Sequence, residues 1–303
     1  MQSRGDGAEG VTLIELLIAL VISSVLITGV YSVYITQTRT YTAQDRVVEL
    51  QQDARAAFAV MTKDIRMAGF LTGPGSSSGF VVEPPESPPI TINGYIYAVT
   101  PTNQTHDSDS ITVVYADPLL GELSLAPSSN TLTLDRGVPC NVAAGDFIAF
   151  DLHPGVSEGT LYRVSQSASK DDTSMTVTAP PGDLSERERV YAIRTVSYTV
   201  SGGVLRRNIY NGAGAQPLAG DGASTIVEDL QFVYHMESGT RQHAPTNPAE
   251  IEAVEINLVM RSGVPEPVGS AFSKPACGDR GQEDTFQGCR RRMYTTTVKI
   301  RNL

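Results

Sequence analysis

Residues 11–30 are apolar at almost every position, so a helix formed there has no polar face. About 20 such residues cross ~30 Å of hydrocarbon. Glu15 is the single ionisable residue in the run, and no Lys or Arg lies near it in sequence. Beyond residue 30 the pattern changes without a break. Apolar residues recur at Val47, Leu50, Ala54, Ala57, Met61, Ile65 and Ala68, in steps of three and four that mark one helix face. Gln51, Gln52, Asp53, Arg55, Lys63, Asp64 and Arg66 fill the polar side, and Phe58 and Met61 read as core residues. No proline occurs before Leu71, and Gly69 is a natural C-terminal stop. The spacing predicts one helix from about Val11 to Ala68, roughly 85 Å long. Ser23, Ser24 and Gly29 are the place for a bend.

Residues 70–110 read as a Pro/Gly/Ser-rich linker followed by a first β segment. After that the period switches to two. Strands are predicted at 111–115, 131–135, 147–152, 161–165, 175–179, 190–200, 204–210, 226–235, 251–261 and 294–301. Turn residues separate them, among them Asp117-Pro118, Gly145-Asp146, His153-Pro154-Gly155 and Pro180-Pro181-Gly182. Ser201-Gly202-Gly203 between Val200 and Val204 predicts a hairpin. The fold class is therefore α+β: a long helix, then a β-rich domain over 111–303, with 118–188 as a β insertion.

Composition agrees with a β-rich second half: twelve Tyr, eight Phe and no Trp. A net charge of −10 argues against nucleic acid as the main partner. No Gly-x-Ser-x-Gly elbow or phosphate-binding glycine loop is present, and His106, His153, His235 and His243 are scattered, so no enzyme constellation emerges. No cofactor is expected. The pairs Asp107/Asp109 and Asp171/Asp172 could touch calcium, but turn capping accounts for them better. Arg290-Arg291-Arg292 reads as a solvated loop before the last strand.

Three cysteines are present. Cys277 and Cys289 flank a polar loop, Gly278 to Gly288, with no apolar residues to form a core around it except Phe286. A disulfide between them would close about 13 residues and stabilise by roughly 3 kcal/mol. No His lies near enough to make a zinc site with them. Cys140, between Val138 and Val142, reads as a buried free thiol.

The run Gly10-Val11-Thr12-Leu13-Ile14-Glu15-Leu16-Leu17-Ile18-Ala19-Leu20 resembles the N-terminal signature of type IV prepilins and pseudopilins. The resemblance implies a leader, residues 1–10, cut after Gly10 by a prepilin peptidase, and N-methylation of the new terminus, Val11. It implies that Glu15, fifth in the mature chain, meets a neighbouring subunit's terminal amine during assembly. A buried ion pair of that kind offsets much of the cost of taking a carboxylate into hydrocarbon. Two departures stand out: Val11 where the family usually has Phe, and a leader in which Arg4 is outweighed by Asp6 and Glu9. A secretory signal fits less well, because the apolar run exceeds its usual core and no small-x-small site follows. A plain anchor needs neither Gly10 nor Glu15.

Softer similarities to PilW-like minor pilins lie at 109–115, 227–234, 254–262 and 292–302. They imply a pilin fold, in which residues 11–30 span the membrane and 31–69 form an amphipathic half-helix lying on an antiparallel sheet. The implied partners are major and minor pilins, prepilin peptidase, the inner membrane and the assembly platform. The implied location is the inner membrane, with the C-terminal domain periplasmic, and then an extracellular pilus. The J-type minor pseudopilin of type II secretion shares this plan, and a pilus-borne adhesin is a further alternative.

Overall fold

A computed structural model describes residues 11–73, 80–83, 91–92, 94–127, 129–151, 160–180, 182, 184–210, 214–265, 273–281 and 288–301. Gly10, the leader, His153-Pro154-Gly155 and Leu152 lie outside them. The chain divides into two compact units at Val48/Glu49.

Helix α1 covers Leu13–Met67. Thr12 caps it: its hydroxyl accepts the Glu15 N–H at 3.4 Å and its carbonyl the Leu16 N–H at 3.2 Å. At the other end Gly69 has φ 78°, a conformation that ends helices and favours glycine. Up to Val48 the helix is exposed on nearly all sides. From Leu50 onward the predicted stripe is buried: Leu50, Ala54, Ala57, Met61 and Ile65.

The second unit carries fourteen strands among the described residues. They are β1 (Val81–Glu83), β2 (Val99–Thr102), β3 (Ser110–Glu122), β4 (Thr131–Thr133), β5 (Phe147–Phe150), β6 (Thr160–Gln166) and β7 (Ser174–Val177). Then follow β8 (Arg189–Ser201), β9 (Val204–Ile209), β10 (Gly214–Ala219), β11 (Thr225–Met236), β12 (Arg241–Gln242), β13 (Ile251–Ser262) and β14 (Arg291–Lys299). The larger sheet runs β10-β9-β8-β5-β6-β7-β4, with β3 pairing β8, β2 pairing β3, and β1 parallel to β6. The smaller sheet runs β12-β11-β13-β14, and all its pairs are antiparallel. Gly202 and Gly203, both at positive φ, make the two-residue β8–β9 turn that the sequence predicts.

One core joins the buried helix stripe to both sheets, through Ile111, Val113 and Tyr198 of the larger and Phe232, Ile256 and Leu258 of the smaller. A second cluster, from Leu120 to Val190, lies within the 118–188 stretch and its flanks. A third packs Leu71, Phe80 and Ile92 against Val114, Ala116, Ala149 and Leu161. Described parts of the linker-like stretch are thus buried domain structure, because its few apolar residues find a sheet face to cover. Strand β3 also runs on through Asp117-Pro118, where a turn was expected. The peptide is cis, and pairing with β8 resumes at Leu119 after a register shift.

Asp64 departs from the pattern. Assigned by sequence to the polar side, it is instead buried beside Ile65. Tyr115 Oη donates to Oδ1 at 2.9 Å, Tyr198 Oη to Oδ2 at 2.5 Å, and Arg207 Nε to Oδ2 at 2.7 Å. One carboxylate therefore ties α1 to β3, β8 and β9. Asp53, three turns earlier on the same side, accepts from Thr225 Oγ1 at 2.8 Å and from the Gly220 N–H at 3.2 Å.

Asp64→Ala should lower unfolding stability by about 3–5 kcal/mol, because it leaves a half-buried Arg207 and two buried tyrosine hydroxyls without their partner. Urea titration of the solubilised chain measures this, and a loss near zero would show that the cluster does not hold the helix. Burial, and then the Asp64 carboxylate, push the Tyr115 and Tyr198 hydroxyls above their ordinary range. A raised folded pKa gives stability that is full below the unfolded value, about 10, and falls as pH rises past it. Melting temperature should therefore drop above about pH 10, and Tyr198→Phe should flatten that drop.

Candidate assembly site

The first compact unit is a surface in search of cover. Val11, Leu13, Ile14 and Leu16 are 71, 79, 67 and 59% exposed, and the apolar residues to Tyr34 are similarly open. Between Glu15 and Arg39 no residue is charged. Those 23 residues rise roughly 35 Å, enough to cross a bilayer core with slight tilt. The described helix is long and apolar enough to do so. Four of its hydroxyls are matched internally: Ser24 donates to the Val21 carbonyl, Thr28 to Ser24, Ser32 to Gly29 and Thr36 to Ser32, each within 2.9 Å. Groups bonded this way cost little in hydrocarbon. Tyr31, Tyr34 and Tyr41 are exposed just where the apolar run ends, as residues that anchor at a membrane interface do. Gly29 leaves a notch among Val25, Leu26, Val30 and Val33, with no atom within 4 Å of where a Cβ would stand.

At one end of this surface lie Val11 and Glu15. Glu15 is exposed, and its backbone N–H is engaged by Thr12. Thr12 and Glu15 stand at the spacing of a capping box, so the carboxylate also suits the positive end of the helix dipole. Among the described residues of this unit, nothing else charged comes within helical reach of it.

A second polar cluster lies on the outer face of the smaller sheet. Asp229, fully buried, holds Lys274 Nζ at 2.9 Å and Arg280 Nη1 at 3.1 Å on one oxygen. Its other oxygen takes Gln231 Nε2 at 3.0 Å and Ser108 Oγ at 3.3 Å. This clamp fixes residues 273–281 across the sheet. Gly278, φ 60°, is required there, since a Cβ would come within 2.7 Å of Gln231 Cβ.

The clamped segment contains Cys277, one of the two cysteines for which a disulfide is expected from sequence. Cys277 and Cys289 are separate thiols here. Cys277 Sγ contacts the Asn257 carbonyl at 3.8 Å and Cys289 Sγ the Arg261 guanidinium at 3.7 Å. Those partners are four residues apart on β13, roughly 13 Å of strand. The described part of the loop is held by Asp229 through Lys274 and Arg280. Burial pushes the Cys277 thiol up to about 12, so it stays protonated. Cys140 is half-buried beside the second core cluster and free, and burial raises its pKa too.

The other candidates are structural. Asp109 accepts the N–H groups of Gln104 and Phe232, and Asp172 that of Ser169. Arg291 pairs with Glu228 at 2.7 Å, inside a strand and not in a loop. His235 lies 3.5 Å from Glu255. Among the described residues no group of His, Cys, Asp or Glu is placed to hold a metal ion. Sequence reasoning missed Asp64 and Asp229. Asp64 had a signal, since it falls three residues after Met61 on the buried stripe.

A family model, the prokaryotic N-terminal methylation motif, matches residues 7–31. The motif thus covers the start of α1, the long helix whose second part packs on the largely antiparallel sheets. The structure is also similar to the type IV-like pilin TTHA1219 from Thermus thermophilus. The match has 13% identity, covers 84% of this chain and 98% of that one, and has a TM-score of 0.40. None of the curated proteins matches the chain in sequence.

If the clamp orders the loop, Asp229→Ala should raise the rate of Cys277 labelling by a thiol reagent at least tenfold, measured by mass spectrometry of the full chain. An unchanged rate would show that Asp229 does not hold the segment down.

Proposed function

We propose that this chain is a minor pilin, cut between Gly10 and Val11 by prepilin peptidase, methylated at Val11, and built into or priming a type IV pilus. The observation that carries this is an exposed, uncharged helix face directly behind a methylation motif, with Glu15 as its one charge. The family implies association with other pilins and processing by the peptidase. The motif and the apolar helix fit anchoring in a membrane before assembly. In this reading the globular unit lies on the periplasmic side and reaches the cell exterior with the filament.

Glu15 acts as a registry device. In the membrane-parked monomer it sits near the cytoplasmic interface, where its charge is cheap to keep. On extraction it enters packed apolar helices, and the free amine of a neighbouring subunit becomes its counter-charge. A subunit still carrying its leader has no such amine. The role is structural, and it requires no catalytic group.

Two outcomes are expected. Intact mass of the protein from cells with active peptidase should start at Val11 plus one methyl group; retention of residues 1–10 would overturn the processing step. Glu15→Ala should leave membrane insertion and the β-domain intact, yet reduce co-purification with partner pilins and the number of surface filaments. Wild-type levels of both would refute the ion-pair mechanism.

A further inference from the structure

Sheet edges are sites where another chain can add a strand, and most proteins blunt them. Six described strands have a neighbour on one side only: β1, β2, β4, β10, β12 and β14. Five are blunted. Strands β1 and β4 have three residues each and β12 has two. Strand β2 carries Pro101, and β10 carries Pro217 with a register shift. The outer edge of β11 is met by Ser108, Asp109 and the Gly203 carbonyl. Strand β14 differs. It has nine residues, no proline, and unbroken register with β13 from Arg291 to Lys299. No described residue pairs with its outer edge.

The charge on this edge is arranged. Between Arg292 and Lys299 lie six uncharged residues, Met293 to Val298, rich in Thr and well suited to a strand. Residues 290–301 hold Arg290, Arg291, Arg292, Lys299 and Arg301 and no Asp or Glu, in a chain of net charge −10. Arg291 is occupied by Glu228, whereas Arg292 is exposed and Lys299 is 73% exposed in a surface pair with Glu252. Antiparallel self-pairing centred on Thr295 and Thr296 would set Arg292 against Lys299 at both ends. Parallel self-pairing would stack Arg292 on Arg292. Like charges directly opposite disfavour both. The edge thus disfavours in-register pairing with a second copy of itself and suits a strand of opposite charge.

We infer that β14 is a docking edge for an extended segment of another protein that has acidic residues flanking a neutral, β-branched stretch. Backbone pairing to β14 supplies affinity, and Arg292 and Lys299 select the partner by charge. The inference rests on sheet geometry and charge and does not depend on the filament reading.

The test uses the full chain in nanodiscs and a fluorescent peptide, Glu-Val-Thr-Val-Thr-Val-Thr-Glu, with a Lys-ended counterpart and a short DNA duplex as competitors. The acidic peptide should bind at least roughly tenfold tighter than the Lys-ended one, and should slow amide exchange over 293–298. The double variant Arg292→Glu/Lys299→Glu should reverse the preference while melting as wild type does, since exposed pairs contribute little to stability. Equal binding of the two peptides, no reversal in the variant, protection elsewhere than β14, or tighter binding of the duplex would each overturn the inference.

Discussion

The second compact unit depends on one buried carboxylate. Asp64 takes two tyrosine hydroxyls and the Arg207 guanidinium from three strands of the larger sheet. An unpaired charge at that depth would be strongly destabilising, so the helix must sit at the one rotation and height that satisfies it. Leu50, Ala57, Met61 and Ile65 alone would tolerate sliding by a turn, because apolar packing is not directional. Asp53 on Thr225 and Gly220 adds a second fixed point toward the other sheet. The helix stripe supplies the burial, and the two acids supply its register.

The same helix meets two different solvents. Its first part has no polar side and no charge between Glu15 and Arg39, and its hydroxyls bond back to its own carbonyls. Such a segment is at rest only when surrounded by lipid or by other apolar helices. Its second part is amphipathic and finds its cover within the chain. That division leaves Glu15 as the one charge at the start of the apolar part. An ionisable group in apolar surroundings is costly unless it meets a counter-charge.

Ion pairing also organises the far side of the smaller sheet. Asp229 draws Lys274 and Arg280 down over β11 and β13, and Cys277 is buried beneath the segment they hold. Glu228, next in sequence, engages Arg291 at the start of β14. Adjacent acids at the bulge of β11 therefore point to opposite tasks, one fixing a loop and the other fixing a strand. No described residue pairs with the outer edge of the remaining long strand, β14, whose ends carry Arg292 and Lys299.

Much of this was legible in the chain alone, wherever the physics is local. A 3.6-residue period, Gly69 and the absence of proline define the helix Leu13–Met67, because backbone propensity and capping act over a few residues. Alternation and turn glycines locate most of the strands, and Gly202-Gly203 sets the β8–β9 hairpin for the same reason. The methylation motif is a linear signal and needs no fold to be read. What joins distant residues was decided only in three dimensions. Asp64 looked solvated until Tyr115, Tyr198 and Arg207, 51 to 143 residues away, closed around it. The loop at Cys277 looked coreless until Asp229 supplied an anchor, and Asp117-Pro118 looked like a turn until β8 gave Leu119 a partner. Sequence patterns carry burial and propensity, which each residue expresses by itself; pairing of charges and strands is a property of two chain segments, and only the tertiary structure brings them together.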